Sequence, residues 1–551
     1  MGTLVLTYSN TNNSYLGQFI DGTTFTGGST DLTYMSIGAF DTSLGVVLGS
    51  QSSSIPYFSG NGAMDSAYAY DNVSDSPLNA NVAAETLFVY GGNGDDHVEA
   101  TTSALASIVT GAGNDYISTV GSFGSVSING GAGADIMIGG SEYDIYVVDD
   151  VGDQVIDLGG NFGSHDSVST TLLTYTLGAN IEDLDLLVGD ASGYGNELDN
   201  NLTGSDGNNI LNGFAGNNVL EGRGGNDRFL VTSDQSRNAI FGGIGDDTLV
   251  YKQGLGGGEL PWAIDHGQSA FFDGEDGTDN AALDFSLAQR VTATVDGDKV
   301  VYDILGADGY HSTVSLTSVE RVNIIGSAAA DTFYGTSGND WIDAGAGADT
   351  VHGSAGDDGY VFDNAGDRVV DEAAAGGTDT IWASVSVNLN DNAYVENLRL
   401  SGTAINGIGN GLANMITGNA SSNIIAGGAG NDSLYGKGGA DAFHFNEMGA
   451  ANKDSIWDFD ADDKISLGSV FTGLDKDNNG VVDDDAFLVL VKNGPKVSGD
   501  HAVLTYNAAT GVLSYDHDGA GKDAAQDIAF VGVNKAFFDP SDILINSSLL
   551  V

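Results

Sequence analysis

The sequence predicts an all-β protein of parallel β-roll or β-helix solenoid modules, with an N-terminal β-domain and a C-terminal β cap. Three observations predict it. Four nine-residue units run back to back over 326–334, 335–343, 344–352 and 353–361, each a glycine-rich turn, an aspartate and a short apolar strand. Their aspartates, Asp331, Asp340, Asp349 and Asp358, fall at every ninth residue, a period that belongs to stacked turn-plus-strand units. Hydrophobic residues make up 41% of the 551-residue chain, near globular composition, and over residues 1–90 no helical period stands out, which leaves strands there.

The elements follow in chain order. Residues 1–90 lack the nonapeptide and are rich in Ser, Thr, Gly, Tyr and Phe. Alternating runs at 3–8 and 66–70 read as strands, so this region is an N-terminal β-domain, an assembly or binding module; 23–26 and 68–70 are either its interaction face or buried strand packing. The first roll module spans 91–253, with turns at 91–96, 110–115, 130–135, 139–144, 204–209, 213–218, 222–227 and 242–247. In the turn 139–144, Glu142 replaces the fourth-position glycine. A β-rich insert, 254–325, holds a single outlying turn at 274–279. The second module, 326–445, closes with turns at 427–432 and 436–441. Residues 446–551 alternate strand and acid around 454–465 and end in an uncharged apolar tail after Asp542. Solenoids need capping ends, and this is the candidate cap. The modules are copies: 144–153 (DIYVVDDVGD) matches 358–367 (DGYVFDNAGD), and the 214-residue offset also relates Gly204 to Gly418, Gly213 to Gly427 and Asp227 to Asp441.

Charge narrows the function. There are 76 acidic residues against 17 basic ones, a net charge of −59. Lys and Arg are absent before Arg223, so the first two-fifths of the chain can make no ordinary salt bridge beyond any from the amino terminus. Its carboxylates must stay solvated, protonate or hold metal. Nucleic acid is disfavoured, because phosphate contacts need Lys and Arg. An anionic membrane surface is disfavoured for the same reason. Disorder conflicts with the fixed phase of the 82 glycines, and a halophilic surface leaves the aspartate spacing unexplained. Cysteine is absent, which fits a chain exported unfolded and stabilised without disulfides. No basic n-region opens the sequence and no apolar run reaches membrane-spanning length.

The turn pattern G-G-x-G-x-D-x-U-x suits calcium. This hard cation takes six to eight oxygen ligands. Glycines at positions one, two and four permit positive φ, so the backbone can bend and offer carbonyls. The candidate donors at positions one and three are Gly91 and Asn93, Gly130 and Ala132, Gly242 and Ile244, Gly335 and Ser337, Ala344 and Ala346, Gly427 and Ala429. Position six adds a short carboxylate: Asp96, Asp115, Asp135, Asp144, Asp227, Asp247, Asp279, Asp331, Asp340, Asp349, Asp358, Asp432 and Asp441. Asn209, Asn218 and Asn423 keep an oxygen but lose the charge, which predicts weak or empty sites; the alternative is a purely structural turn stabilised by Asn in left-handed geometry. The apolar eighth residues, Ile117, Leu249, Ile342, Val351 and Leu434, are expected to point inward. A separate calcium candidate is the D-x-D-x-N-G run with Asp475, Asp477, Asn479 and Asp483, although Ala486 stands where an EF-hand loop has its glutamate.

These nonapeptides resemble those of the RTX, or haemolysin-type calcium-binding, family. The resemblance spans roughly 91–551, and 175–180 and 454–465 are similar to segments found in it. It implies a secreted protein that leaves a Gram-negative cell through a type I secretion apparatus, reading a carboxy-terminal signal, and folds on meeting extracellular calcium.

Many relatives join a roll to a hydrolase. Here there is no H-E-x-x-H and no G-x-S-x-G elbow. Asp265, His266 and Ser269 lack the geometry of a triad. The leading expectation is therefore a non-enzymatic structural protein that self-assembles into an extracellular surface layer, filament or matrix. An adhesin is the first alternative. A hydrolase or toxin with its site in 1–90 or 254–325 is the second.

Overall fold

The computed structural model describes residues 78–159, 165–231, 236–252, 269–307, 309–370, 376–403, 405–491, 496–536 and 538–545, together with the backbone of seven strands before residue 78. The chain divides into two units: 1–254 with 262–279, and 255–261 with 280–551. No helix among the described residues is long and apolar enough to cross a membrane.

A nine-residue unit spends half a coil on a turn and a strand, so the next unit runs along the opposite wall. Units two apart then stack in parallel. Phe333 lies beside Val351, and Ile342 lies beside Tyr360, each 18 residues on. Side chains alternate across a strand, so one row from each wall faces inward and meets the same row of the next coil.

In the first unit the strands Gly2–Ser9, Leu44–Ser50, Ser66–Asp71 and Asn79–Tyr90 pair in parallel in that order. Later coils continue the ladder through His97–Ala112, Ser125–Ala132, Asp144–Val148, Ser167–Thr170, Asp183–Leu186 and Asn201–Thr203 to Gly216–Gly224, Ser236–Ile244 and Ser269–Asp276. This ladder contributes one row of the core, Ile128, Tyr146, Val168, Leu184, Leu202, Leu220, Ile240 and Phe272, each stacked on the next and sealed from solvent.

The second unit repeats the plan. Ile324, Ile342, Tyr360, Ile381, Leu398, Ile416, Leu434 and Ile456 form its buried row. Tyr146 and Tyr360, Leu184 and Leu398, Leu202 and Ile416 are related by the 214-residue offset read in the sequence. Burying each such side chain is worth about 1.5–3 kcal/mol. The expected inward residues Ile117, Leu249, Ile342, Val351 and Leu434 are all fully buried. The insert adds antiparallel strands, Arg290–Asp296, Lys299–Leu305 and His311–Thr317. At the carboxy-terminal end Val503–Asn507, Val512–Asp516 and Gln526–Phe530 pair antiparallel, while Ile543–Ile545 adds in parallel to Lys464–Leu467. The tail after residue 545 lies outside the described residues, as do the side chains of the candidate face at 23–26 and 68–70.

Candidate metal centre

The turns stack in columns, and position six is the spine of each column. Its Oδ1 accepts the backbone N–H of position six in the preceding coil: Asp96 to Asp115 at 2.7 Å, Asp115 to Asp135 at 2.8 Å, Asp227 to Asp247 at 2.7 Å, Asp331 to Asp349 at 2.8 Å, Asp340 to Asp358 at 2.8 Å. Asparagine joins the same spine, with Asn209 donating to Asp227 at 2.6 Å, Asn414 to Asp432 at 2.7 Å and Asn423 to Asp441 at 2.7 Å. Asp247 donates to Asp279 at 2.7 Å. A charge-assisted bond to each carboxylate fixes the register of successive coils.

The second oxygen separates two kinds of turn. In the closed kind it accepts the N–H of position two of its own turn. Gly92 donates to Asp96 at 3.2 Å, Gly140 to Asp144 at 2.7 Å, Ser327 to Asp331 at 2.8 Å and Thr336 to Asp340 at 2.5 Å. In the open kind positions two and four have positive φ, as in Gly131 and Gly133, Gly243 and Gly245, Gly345 and Gly347, Gly428 and Gly430. The Oδ2 atoms of Asp115, Asp135, Asp227, Asp247, Asp349 and Asp432 are then buried without any hydrogen-bond partner. These residues are at most 2% exposed. A buried carboxylate oxygen left bare is costly.

Asn218 shows what the open turn presents to that oxygen. Phe214 and Gly216 have positive φ, and the Asn218 side-chain amide donates to the carbonyls of Phe214, Ala215 and Gly216 at 3.5, 3.2 and 3.4 Å. Backbone carbonyls of an open turn thus converge on the position-six side chain. Where that residue is Asp, a carboxylate and carbonyls face one another with only oxygens between them. An all-oxygen donor set of this kind fits calcium. The bound cation would supply positive charge to this cluster of oxygens.

Burial drives the carboxyls of Asp135, Asp227, Asp247 and Asp349 up to about 7, against the lowering pull of the backbone N–H each accepts, and neighbouring carboxylates push the same way. Asp115 is raised by the same burial, and Asp441 reaches about 6.

Three details differ from the sequence reading. Positive φ occurs at positions two and four but not at position one. First-position glycine is needed because a methyl at Gly91, Gly130, Gly242, Gly335 or Gly427 would collide with the carboxylate of its own turn. Ala344, however, occupies that position in the turn 344–349. The turn asparagines are not left-handed: Asn209 and Asn423 donate their amides to backbone carbonyls outside the strands, of Gly189 and Ala191 at 3.0 and 3.1 Å and of Ile405 at 3.3 Å. And Asp185 pairs with Arg223 at 4.0 Å, so the Lys- and Arg-free stretch does borrow a cation from a later coil. The third-position residues Asn93, Ala132, Ile244, Ser337, Ala346 and Ala429 lie exposed at the turn tips.

Sequence reasoning missed the column ends. Asp135 donates to Asp153 at 3.0 Å, Asp349 to Asp367 at 3.1 Å, Asp432 to Asp454 at 3.0 Å and Asp441 to Asp463 at 3.0 Å. Asp153, Asp367 and Asp463 close on themselves by accepting N–H groups of Asp150, Asn364 and Asp460. The signal was present in the duplicated 149–153 (DDVGD) and 363–367 (DNAGD). Asp144, Asp157 and Asp166 bring carboxylate oxygens within 4.8 Å of one another, all buried, and Asp157 takes the Tyr146 hydroxyl at 2.8 Å. Asp475, Asp477 and Asp483 also cluster within 4.8 Å, and Asp475 accepts the N–H groups of Asn479 and Gly480 at 3.0 and 2.9 Å. Asp265 and His266 lie outside the described residues.

Residues 120–146, 194–229, 325–360 and 408–443 match the family model of the RTX calcium-binding nonapeptide repeat. The turns within these four segments are similar to RTX repeats. The four copies cover about a quarter of the chain, and the third contains the tandem turns of Asp331, Asp340, Asp349 and Asp358. No protein with a curated description matches the chain. Among solved structures, the extracellular lipase LipA from Serratia marcescens aligns at 15% identity over 69% of this chain and 45% of the lipase, with a TM-score of 0.15. The aligned part spans under half of that enzyme, and so weak a likeness carries no argument about activity.

Proposed function

We propose that this is a secreted calcium-binding structural protein that folds on extracellular calcium and assembles into a surface layer, filament or matrix. The observation that carries the calcium step is the set of buried carboxylate oxygens without partners in the open turns. Ionised and bare, they oppose the fold; with a cation they join it. At free calcium roughly 100 times Kd, each site adds about 2.7 kcal/mol to stability. In cytosol, where free calcium is scarce, that term is lost, so the chain stays unfolded for export by a type I apparatus in a Gram-negative cell. The total lack of cysteine suits such a route. Electron microscopy and light scattering of the purified chain at millimolar calcium test the assembly step. Ordered polymers that dissolve in chelator are expected. Monodisperse monomers at high concentration would refute assembly.

One observation favours a second reading, a surface-binding protein. Of the four tryptophans, Trp341, Trp382 and Trp457 sit on the outward rows of one wall of the second unit. Trp341 and Trp382 meet at 4.7 Å over Gly359, where any side chain would strike both rings. A ridge of this kind is a stacking platform for a neutral sugar. Quenching of tryptophan emission by soluble polysaccharide, lost in Trp341→Ala, would support it.

A further inference from the structure

We propose that the outward wall of the second unit, from Trp341 to Trp457, binds one extended neutral polysaccharide chain laid along the solenoid axis. The inference rests on the surface-binding reading above and deepens it, because the Trp341 and Trp382 ridge is one of two platforms on a single track.

The second platform lies farther along the wall. The rings of Tyr435 and Trp457 are 6.4 Å apart and 15° from parallel, and Phe530 on the adjoining strand lies 6.2 Å from Trp457. Parallel pairing puts both platforms in the same two outward rows. In one row Trp341 leads through Gly359, Thr380, Asn397 and Met415 to Ser433. In the other, Trp382 leads through Arg399 and Thr417 to Tyr435. Three strand steps separate Trp382 from Tyr435, about 14 Å at about 4.8 Å a step. Six steps separate the strands of Trp341 and Trp457, about 29 Å on the same spacing. One sugar ring cannot touch both platforms, whereas a chain running across the strands meets each in turn.

The chemistry between the platforms suits such a chain. A sugar ring has an apolar C–H face and a rim of hydroxyls, so it asks for aromatic faces with short polar groups beside them. Thr380, Asn397, Thr417 and Ser433 provide these along the track. From Gly359 to Trp457 neither outward row carries a carboxylate, in a chain with 76 acidic residues. Arg399 is exposed on the track, and Lys437 holds its ammonium 5.5 Å from the centre of the Tyr435 ring. Two cations are too few to hold a polyanion against a net charge of −59. The ligand class is therefore neutral.

The first copy of the module is a built-in control. Its buried Ile128, Leu184 and Leu220 stand where the second has Ile342, Leu398 and Leu434. The outward neighbours differ. At the 214-residue offset Ser127, Asp183, Asp185 and Glu221 replace Trp341, Asn397, Arg399 and Tyr435, and Ser169 pairs with Asp185 as Trp382 pairs with Arg399. Ile145 stands for Gly359, whose missing side chain lets the two indoles close. The same coil thus forms without the rings, so the fold does not demand them. Exposed aromatic surface that folding does not require marks a contact surface.

The test is affinity electrophoresis of the full chain at millimolar calcium, in native gels cast with hydroxyethylcellulose, xyloglucan, galactomannan, dextran or the polyanion alginate. Circular dichroism establishes that each variant is folded. At least one neutral polymer should retard the parent, and alginate should not. Trp341→Ala and Trp457→Ala, at opposite ends of the track, should each raise the apparent Kd roughly tenfold or more. Phe241→Ala, beside Glu221 on the first copy's wall, should leave it unchanged. Retention undiminished by Trp457→Ala, or weakened equally by Phe241→Ala, overturns the proposal, and so does retardation by alginate alone. A parent that no polymer retards overturns instead the surface-binding reading beneath it; if Trp457→Ala then abolishes assembly, the wall belongs to a second copy of the chain.

Discussion

Removing calcium should make this chain more stable in mild acid than at neutral pH, the reverse of ordinary acid denaturation. Asp349 has no solvent exposure, and its carboxyl is lifted from 3.8 to about 7 by burial. A folded-state value above the unfolded one means that stability is whole below pH 3.8 and is lost as pH rises through about 7. A rise of roughly three units corresponds to on the order of 4 kcal/mol for one carboxylate. Asp135, Asp227 and Asp247 in the first unit are lifted to about 7 in the same way. Their combined effect is of the same order as a usual net stability of about 5–15 kcal/mol. The assay is far-UV circular dichroism with thermal melts in excess chelator at pH 5.5 and pH 8, repeated at millimolar calcium. Without the ion, the fold should persist at pH 5.5 and be lost or melt about 10 °C or more lower at pH 8. With calcium the difference should vanish or reverse, because the cation replaces the proton. A chelated chain that melts at the same temperature, or higher, at pH 8 would show that these carboxylates are not buried bare.

Further expectations concern single positions. Gly347→Ala places a methyl against the Ala329 carbonyl at φ 139°, so urea denaturation at saturating calcium should show a loss of about 1–3 kcal/mol. Gly411→Ala, whose methyl meets nothing within 4 Å, should leave the midpoint unchanged. Leu398→Ala opens a hole in the sealed row of the second unit and should cost about 2–5 kcal/mol in the same experiment. Lys464→Met removes the 2.6 Å ion pair with the buried Asp542. It should cost about 1.5–3 kcal/mol and raise amide exchange in the strand Ile543–Ile545.

Much of this molecule is local and was therefore legible. The nine-residue period specifies a turn and a strand per unit, so it assigns Ile342, Val351 and Leu434 to the inside and Asp340, Asp349 and Asp432 to the turns with no further information. The 214-residue offset foretold two matching core rows, from Tyr146 and Tyr360 onward. What the sequence could not hold is the state of each turn. Asp96 and Asp135 sit in equally good motifs, and they differ because one coil follows a plain strand and the other follows a turn. The column ends at Asp153, Asp367 and Asp463 escaped for the same reason, since each matters only through an N–H contributed 18 or 22 residues earlier. A turn's shape follows from its own glycines and aspartate, whereas the unmet bonding capacity of its carboxylate depends on which backbone groups the neighbouring coil brings within reach.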